Sequence, residues 1–190
     1  ATGKSTTVKF LQKKGYKVHD SDLIVKKIYS QPNKEIFATL KKIGLSKSIK
    51  NKKIDKNVIS DEIFSNKAKK NKLEKFIHKE VRISRNLFIK KHKNKKNKII
   101  FFDIPLLFEA KLTHICHYII LLYAPKKIKI ERALKRKNIN KKIITKILKN
   151  QIDDKTKKKK SDYIINTSKP KKHSFKMILK AISNILEQNA

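Results

Sequence analysis

Apolar residues along this chain recur either at helical spacing or in short unbroken runs, and the two patterns predict different elements. Ser5 to Lys14 predicts a helix, with Val8 and Leu11 on one face and Gly15 as its C-terminal stop. Tyr16 to His19 predicts a short strand that ends at Asp20-Ser21-Asp22. Strand character is then lost from 23 to 92. Leu23 to Tyr29 reads as a short helix, and a second begins at Pro32 and stops at Gly44. Asp55 is placed to cap a helix carrying Val58, Ile59, Ile63 and Phe64. Between Lys67 and about Lys91, Leu73, Phe76, Ile77, Val81, Leu87 and Phe88 recur near helical spacing. The whole block is a helical insertion between two strands.

Lys98 to Asp103 is a nearly continuous apolar run, as expected of a strand buried on both faces. His117 to Tyr123 is another, and Tyr163-Ile164-Ile165 a shorter third. Helices are predicted from Pro125 through Arg136 and from Asn140 through about Gln151. Phe175, Ile178, Leu179, Ile182 and Leu186 mark a final amphipathic helix. Asp153 to Lys160 reads as a charged connector, with the run Lys157 to Lys160 as solvated surface. Strands alternating with helices argue for an α/β fold with a parallel sheet. In such sheets ligands sit at the carboxyl ends of the strands.

Composition bounds the picture. A length of 190 residues suits one domain with a real core. The lone cysteine, Cys116, excludes an internal disulfide and points to a reducing, cytoplasmic setting. No apolar run approaches the roughly 20 residues of a membrane span. The formal charge of +36 invites a nucleic-acid partner. Against that, four of the 51 basic residues are arginine (Arg82, Arg85, Arg132, Arg136), whereas base reading leans on arginine forks. The lysines are spread over every segment, and Lys, Ile and Asn dominate together, a bias that A/T-rich codons explain. Salt-sensitive, nonspecific affinity for polyanions is the expectation, without a specific nucleic-acid partner.

The chemistry starts at the first residues. Gly3, Lys4 and Ser5 match the last three fixed positions of the phosphate-binding pattern G-x-x-x-x-G-K-[S/T]. Glycine lets the backbone turn its N–H groups toward phosphate oxygens, lysine reaches the β- and γ-phosphates, and the serine hydroxyl ligates Mg²⁺. The first glycine of the pattern and the strand before it are not in the chain, which reads as lacking roughly ten residues at its start. Phosphoryl transfer also needs a group to orient or deprotonate the acceptor, and cations for developing charge. Asp20 and Asp22 stand two apart, Asp103 ends the best apolar strand, and Arg132 and Arg136 lie four apart on one helix face.

These residues, with others in order, resemble the dephospho-CoA kinase family nearly end to end. The family's A-T-G-K-S-T is seen as Ala1 to Thr6, and its D-A-D as Asp20-Ser21-Asp22. Its I-H-P-x-V-R is matched by Ile77-His78-Lys79-Glu80-Val81-Arg82. D-I-P-L-L-F-E is reproduced in full from Asp103 to Glu109. Glu131-Arg132 with Arg136 resembles the lid segment, and Gln151 followed by Ser161 to Asn166 resembles the last motif.

The resemblance implies a three-layer α/β/α phosphate-loop kinase that phosphorylates the 3′-hydroxyl of dephospho-CoA with ATP and Mg²⁺. Its core would span about 1–24, 98–131 and 160–190, a substrate-binding helical insertion about 25–97, and a lid about 132–159. Asp22 is implied as general base. Ala1 to Thr6, Arg132 and Asn166 would meet the nucleotide, and Arg136 the transferring phosphate. Ser5 and Asp103 would serve the metal. For Asp20 two readings stand: orienting metal-bound water near the substrate, or capping the helix at Leu23. His78 reads as a packed or hydrogen-bonded histidine beside the acceptor, and Arg82 as a contact for its anionic groups. Pro105, Leu106 and Phe108 either wall the acceptor or belong to the core, and Glu109 reads as an early-helix carboxylate. Asp162 and Asn166 would steady a loop near adenine. The chain departs from the family where Lys79 stands for the proline after His78, so the helix is expected to run on. It also departs at Lys149 and Asn150, where an arginine is common. A monomer or weak homo-oligomer is expected. The alternatives are another small-substrate or nucleotide kinase of this fold, and a basic nucleic-acid-binding protein.

Overall fold

The structure, a computed structural model, describes residues 2–93, 99–135, 144 and 151–189. They form two compact units, one of residues 1–18 and 104–190, the other of 19–103.

In the first unit, Lys4–Lys13 forms α1, which buries Val8 and Leu11 as its spacing predicts. Gly15, with φ of +87°, ends it. That left-handed turn suits glycine because a Cβ would crowd the backbone. Strands β5 (Ile120–Tyr123) and β6 (Tyr163–Asn166) pair in parallel, with Ile120 opposite Tyr163 and Tyr123 opposite Asn166. A parallel pair needs a crossover. Here it contains α6 (Lys126–Leu134) and α7 (Asp154–Lys159). The last helix, α8 (Lys171–Glu187), buries Ile178, Ala181, Ile182 and Ile185. Phe175 on α8 stacks on Phe10 of α1 at 4.0 Å between ring centres.

The second unit holds β1 (Lys17–Asp20, through its last two residues), α2 (Ser21–Ser30), α3 (Lys34–Lys42), α4 (Lys56–Ser65), α5 (Lys67–His92) and β4 (Ile100–Asp103). Its core is Ile36 and Leu40 of α3, Ile43, Leu45, Ile59 of α4, and Leu73 and Ile77 of α5. Each such side chain, once buried, contributes about 1.5–3 kcal/mol before entropy is counted. Asp55 caps α4 as expected, accepting from the N–H groups of Asn57 and Val58.

Three expectations are corrected. The insertion is not wholly helical: β2 (Ile49–Lys50) and β3 (Lys53–Ile54) make an antiparallel hairpin. Its two turn residues, Asn51 and Lys52, both have positive φ (47° and 57°), and a lysine there carries no turn signal in sequence. The connector from Asp153 to Lys160 is a helix, capped by the Asp153 carboxylate on the Thr156 N–H at 2.8 Å. Strands β4 and β5 are half-buried throughout rather than covered on both faces. Each has one paired neighbour among the described residues. The predicted helix from Asn140 to Gln151 falls almost wholly outside them.

Candidate active site

Gly3 stands at the N-cap of α1 with φ of +82° and ψ of 12°, a conformation that strains any residue with a Cβ. No side chain caps this helix, and no acidic residue occupies its first turn. Its leading N–H groups and the positive end of its dipole thus meet no carboxylate of the helix itself, the electrostatics an incoming phosphate requires. Ser5 and Thr6 are exposed on that first turn, and Lys4 is half-buried.

Behind Gly3 sits Thr167, which no sequence signal singled out. It follows the carboxyl end of β6, is 8% exposed, and its methyl and hydroxyl lie 3.9–4.0 Å from where a Gly3 Cβ would be. Its Oγ1 is 3.1 Å from the carbonyl of Thr2 and 3.1 Å from that of Tyr123. A hydroxyl has one proton to give, so the two carbonyls share it. Arg132 of α6 closes the arrangement by donating to the Thr167 carbonyl at 2.7 Å and to its Oγ1 at 3.3 Å. The fork of Arg132 thus backs the phosphate half-loop through Thr167. A polar residue just past the carboxyl end of a parallel strand, at the edge where ligands gather, is the signal that could have found Thr167.

Asn166 and Asp162 do local work. Asn166 Oδ1 accepts from the N–H of Ser168 at 2.9 Å and from its hydroxyl at 2.7 Å, an Asx turn that closes the loop after β6. Asp162 accepts from the Ile119 N–H at 2.7 Å, where β5 begins.

In the second unit, Asp20 is the N-cap of α2, its carboxylate accepting from the Leu23 N–H at 2.9 Å. Of its two readings, the cap is the one the geometry displays. Asp22 lies in the first turn of the same helix, exposed, and takes no part in that cap. The helix α5 runs unbroken through Lys79, as the missing proline led one to expect. His78 and Arg82 share one exposed face of it, four residues apart, so His78 is not a packed histidine. Arg85, one turn beyond Arg82, is buried at 7% exposure. Asp103 ends β4, half-buried. His19 on β1 is 4% exposed, bonded through Nε2 to the Ser84 hydroxyl at 3.2 Å. Burial, and then the charge of Arg85, hold its imidazole below the ordinary value.

Pro105 and Phe108 are half-buried and Leu106 is exposed. Glu109 is not on a helix. The segment 105–112 is a chain of turns, with Ala110 N–H on the Leu106 carbonyl and Leu112 N–H on that of Leu107. Glu109 instead accepts from the Ile152 N–H at 3.1 Å and from Lys157 Nζ at 2.7 Å. Lys157 and Lys158 are not solvated surface either. The first side chain is 13% exposed, and the second lies 3.7 Å over the ring of Tyr123. Burial covers the Lys157 stem and leaves its charge on the carboxylate. Ala1 and Arg136 lie outside the described residues, as do Lys149 and Asn150.

A phosphate half-loop at a bare helix start, parallel α/β pairing and an exposed aspartate past a strand define the class: a phosphate-loop kinase. The family model described as dephospho-CoA kinase matches residues 1–172. The chain is 33% identical to the dephospho-CoA kinase of Fusobacterium nucleatum over 180 residues, covering 94% of this chain and 90% of that protein. It is also 33% identical to that of Helicobacter pylori, over 97% and 93% of the two chains. Among solved structures, the dephospho-CoA kinase from Campylobacter jejuni superposes with a TM-score of 0.71 at 30% identity, covering 100% of this chain and 94% of that one. A Thermus thermophilus crystal structure shares the fold, with a TM-score of 0.79 at 23% identity over 97% and 92% of the chains. The chain belongs to the dephospho-CoA kinase family.

Proposed function

We infer that the protein transfers the γ-phosphoryl group of ATP to the 3′-hydroxyl of dephospho-CoA, giving coenzyme A and ADP, the last step of coenzyme A biosynthesis. One observation carries the reading. Gly3 turns the chain into the uncapped start of α1, within a sequence matched to this family from 1 to 172.

The half-loop amides of Gly3 to Thr6 and the Lys4 ammonium hold the β- and γ-phosphates. Thr167, backed by Arg132, keeps that backbone in place. Asp22 takes the proton of the acceptor hydroxyl as its oxygen attacks the γ-phosphorus and the β–γ bridging oxygen departs with ADP. Its exposure, and its freedom from the helix cap that Asp20 supplies, support this role. His78 and Arg82 on the open face of α5 suit the acceptor's phosphates, while Pro105, Leu106 and Phe108 wall it. Arg136 completes the cationic set at the transferring group.

Mg²⁺ would be held by the Ser5 hydroxyl, with Asp103 on a metal-bound water. The donor set fits. Among the described residues no group of three or more His, Cys, Asp or Glu could hold a metal. Mg²⁺ carried on phosphates with one hydroxyl and waters requires no such cage. Bound there, it neutralises charge on the transferring phosphoryl. We place the enzyme in the cytoplasm as a monomer or weak homo-oligomer, without a specific nucleic-acid partner. Among the described residues no helix is long and apolar enough to cross a membrane.

Incubation with ATP, Mg²⁺ and a panel of acceptors tests the reading. ADP formation with dephospho-CoA, and a product phosphorylated at the 3′ position, is expected. Turnover of a nucleoside monophosphate with none of dephospho-CoA would replace it with a nucleotide kinase.

A further inference from the structure

We propose that Glu109 is a positioning residue for the phosphoryl acceptor, its carboxylate fastening the turn segment 105–112 to the segment 152–157. The proposal rests on the reading above, in which Pro105, Leu106 and Phe108 wall dephospho-CoA.

The segment that contains the wall has little of its own to hold it. Short backbone bonds curl it (Ala110 to Leu106 at 2.8 Å, Leu112 to Leu107 at 3.0 Å), and Lys111 takes a left-handed φ of 54°. Local bonds of this kind set its curvature but not its position. Its burial is partial, with Leu106 48% exposed and Pro105, Leu107 and Phe108 half-buried. A long-range tie is made by Glu109. Its Oε1 accepts from both the Ile152 N–H and Lys157 Nζ, with the two side chains only 17% and 13% exposed. Burial pushes the carboxyl up, but hydrogen bonds from Lys157, its own backbone and Ile152 outweigh that and leave it below the ordinary range. At neutral pH the tie is therefore an ionised, charge-assisted one.

The partner segment is a firm anchor. Asp153 caps α7, Asp154 accepts from Lys129 of α6 at 2.7 Å, and Lys158 lies over Tyr123 at the end of β5. Two separate contacts thus hold 152–158 to α6 and β5, the elements that also carry Arg132 and Tyr123 against Thr167. A wall fastened there keeps one distance from the phosphate half-loop's own support. Breaking one partner of a secluded ion pair strands the other's charge, so the segment is expected to shift rather than stay.

The variants E109Q, E109A, K157M and K157R separate positioning from mere stability. With E109A and K157M the KM for dephospho-CoA is expected to rise about tenfold while the KM for ATP stays within about twofold. E109Q should fall between E109A and the wild type, because its amide oxygen still meets Ile152. K157R, which keeps the cation, should recover most of what K157M loses. The double variant E109A/K157M should lose no more than either alone, as expected of two groups acting as one. Unchanged constants for both substrates, or equal losses for both that track a fall in Tm, would overturn the proposal. Amide exchange in the substrate-free protein keeps the outcome separate from the parent reading. Faster exchange at 106–112 and at Ile152 in E109A is expected whichever acceptor is used, and unchanged exchange there would refute the fastening itself.

Discussion

Asp20 and Asp22 are the same residue type two positions apart, and the fold gives them different work. Asp20 spends its carboxylate on the Leu23 N–H at the head of α2, whereas Asp22 remains exposed in the first turn. A capped carboxylate is worth about 1 kcal/mol to its helix and is poorly placed to collect a proton. Replacing Asp22 by Asn should therefore lower kcat about 10²- to 10⁴-fold, the usual span for a lost general base, with ATP affinity within about twofold. Single-turnover kinetics with an ATP-binding titration would check this, and a wild-type rate would remove Asp22 from the role. The left-handed turn at Gly3 was legible in sequence because it depends on local backbone geometry. Thr167 was not, since its importance comes from lying against Gly3 across 164 positions of chain.

Among the elements, the β2–β3 hairpin shows where pattern reading stops. Its strands are two residues each, too short for an alternating pattern, and its turn places Lys52 at a φ of 57°. Left-handed backbone costs a residue with a Cβ about 1 kcal/mol relative to glycine. The Lys52→Gly variant should raise Tm by about 2 °C, readable by calorimetry or circular dichroism. No change, or a fall, would mean that the Lys52 side chain contributes more than the strain it brings. Strand β1 carries a second consequence in His19, met by α5 through the Ser84 hydroxyl and the Phe88 ring and by β4 through Phe102, with the charges of Arg85 and Asp20 acting on it in opposite directions. Its folded pKa lies below the ordinary value of about 6.5, so the unfolded chain binds the proton first. That stability is fully present above about pH 6.5 and declines as pH falls through this value toward the folded pKa. Tm measured from pH 7.5 to 5.5 should fall more steeply for the wild type than for H19Q. Parallel curves would show that His19 does not set the slope.

For the molecule as a whole, charge is the dominant quantity. With 51 basic and 15 acidic residues, nonspecific binding to duplex DNA at low salt follows from electrostatics alone. Fluorescence anisotropy should show that binding lost by about 200 mM salt. Sequence-selective binding that survives there would point instead to a nucleic-acid role. By itself the chain determined what rests on neighbours in sequence: the α1 stop at Gly15, the α4 cap at Asp55, the continuity of α5 through Lys79, and the ordered motifs that place it in its family. Each depends on interactions within a few residues, which a sequence displays directly. Tertiary structure alone decided the pairings. Any of 51 cations was available to Glu109, and nothing in Lys157 to Lys160 marks one lysine from the next. The helix α7 turns Lys157 onto that carboxylate and Lys158 onto Tyr123, so burial made the choice that charge could not.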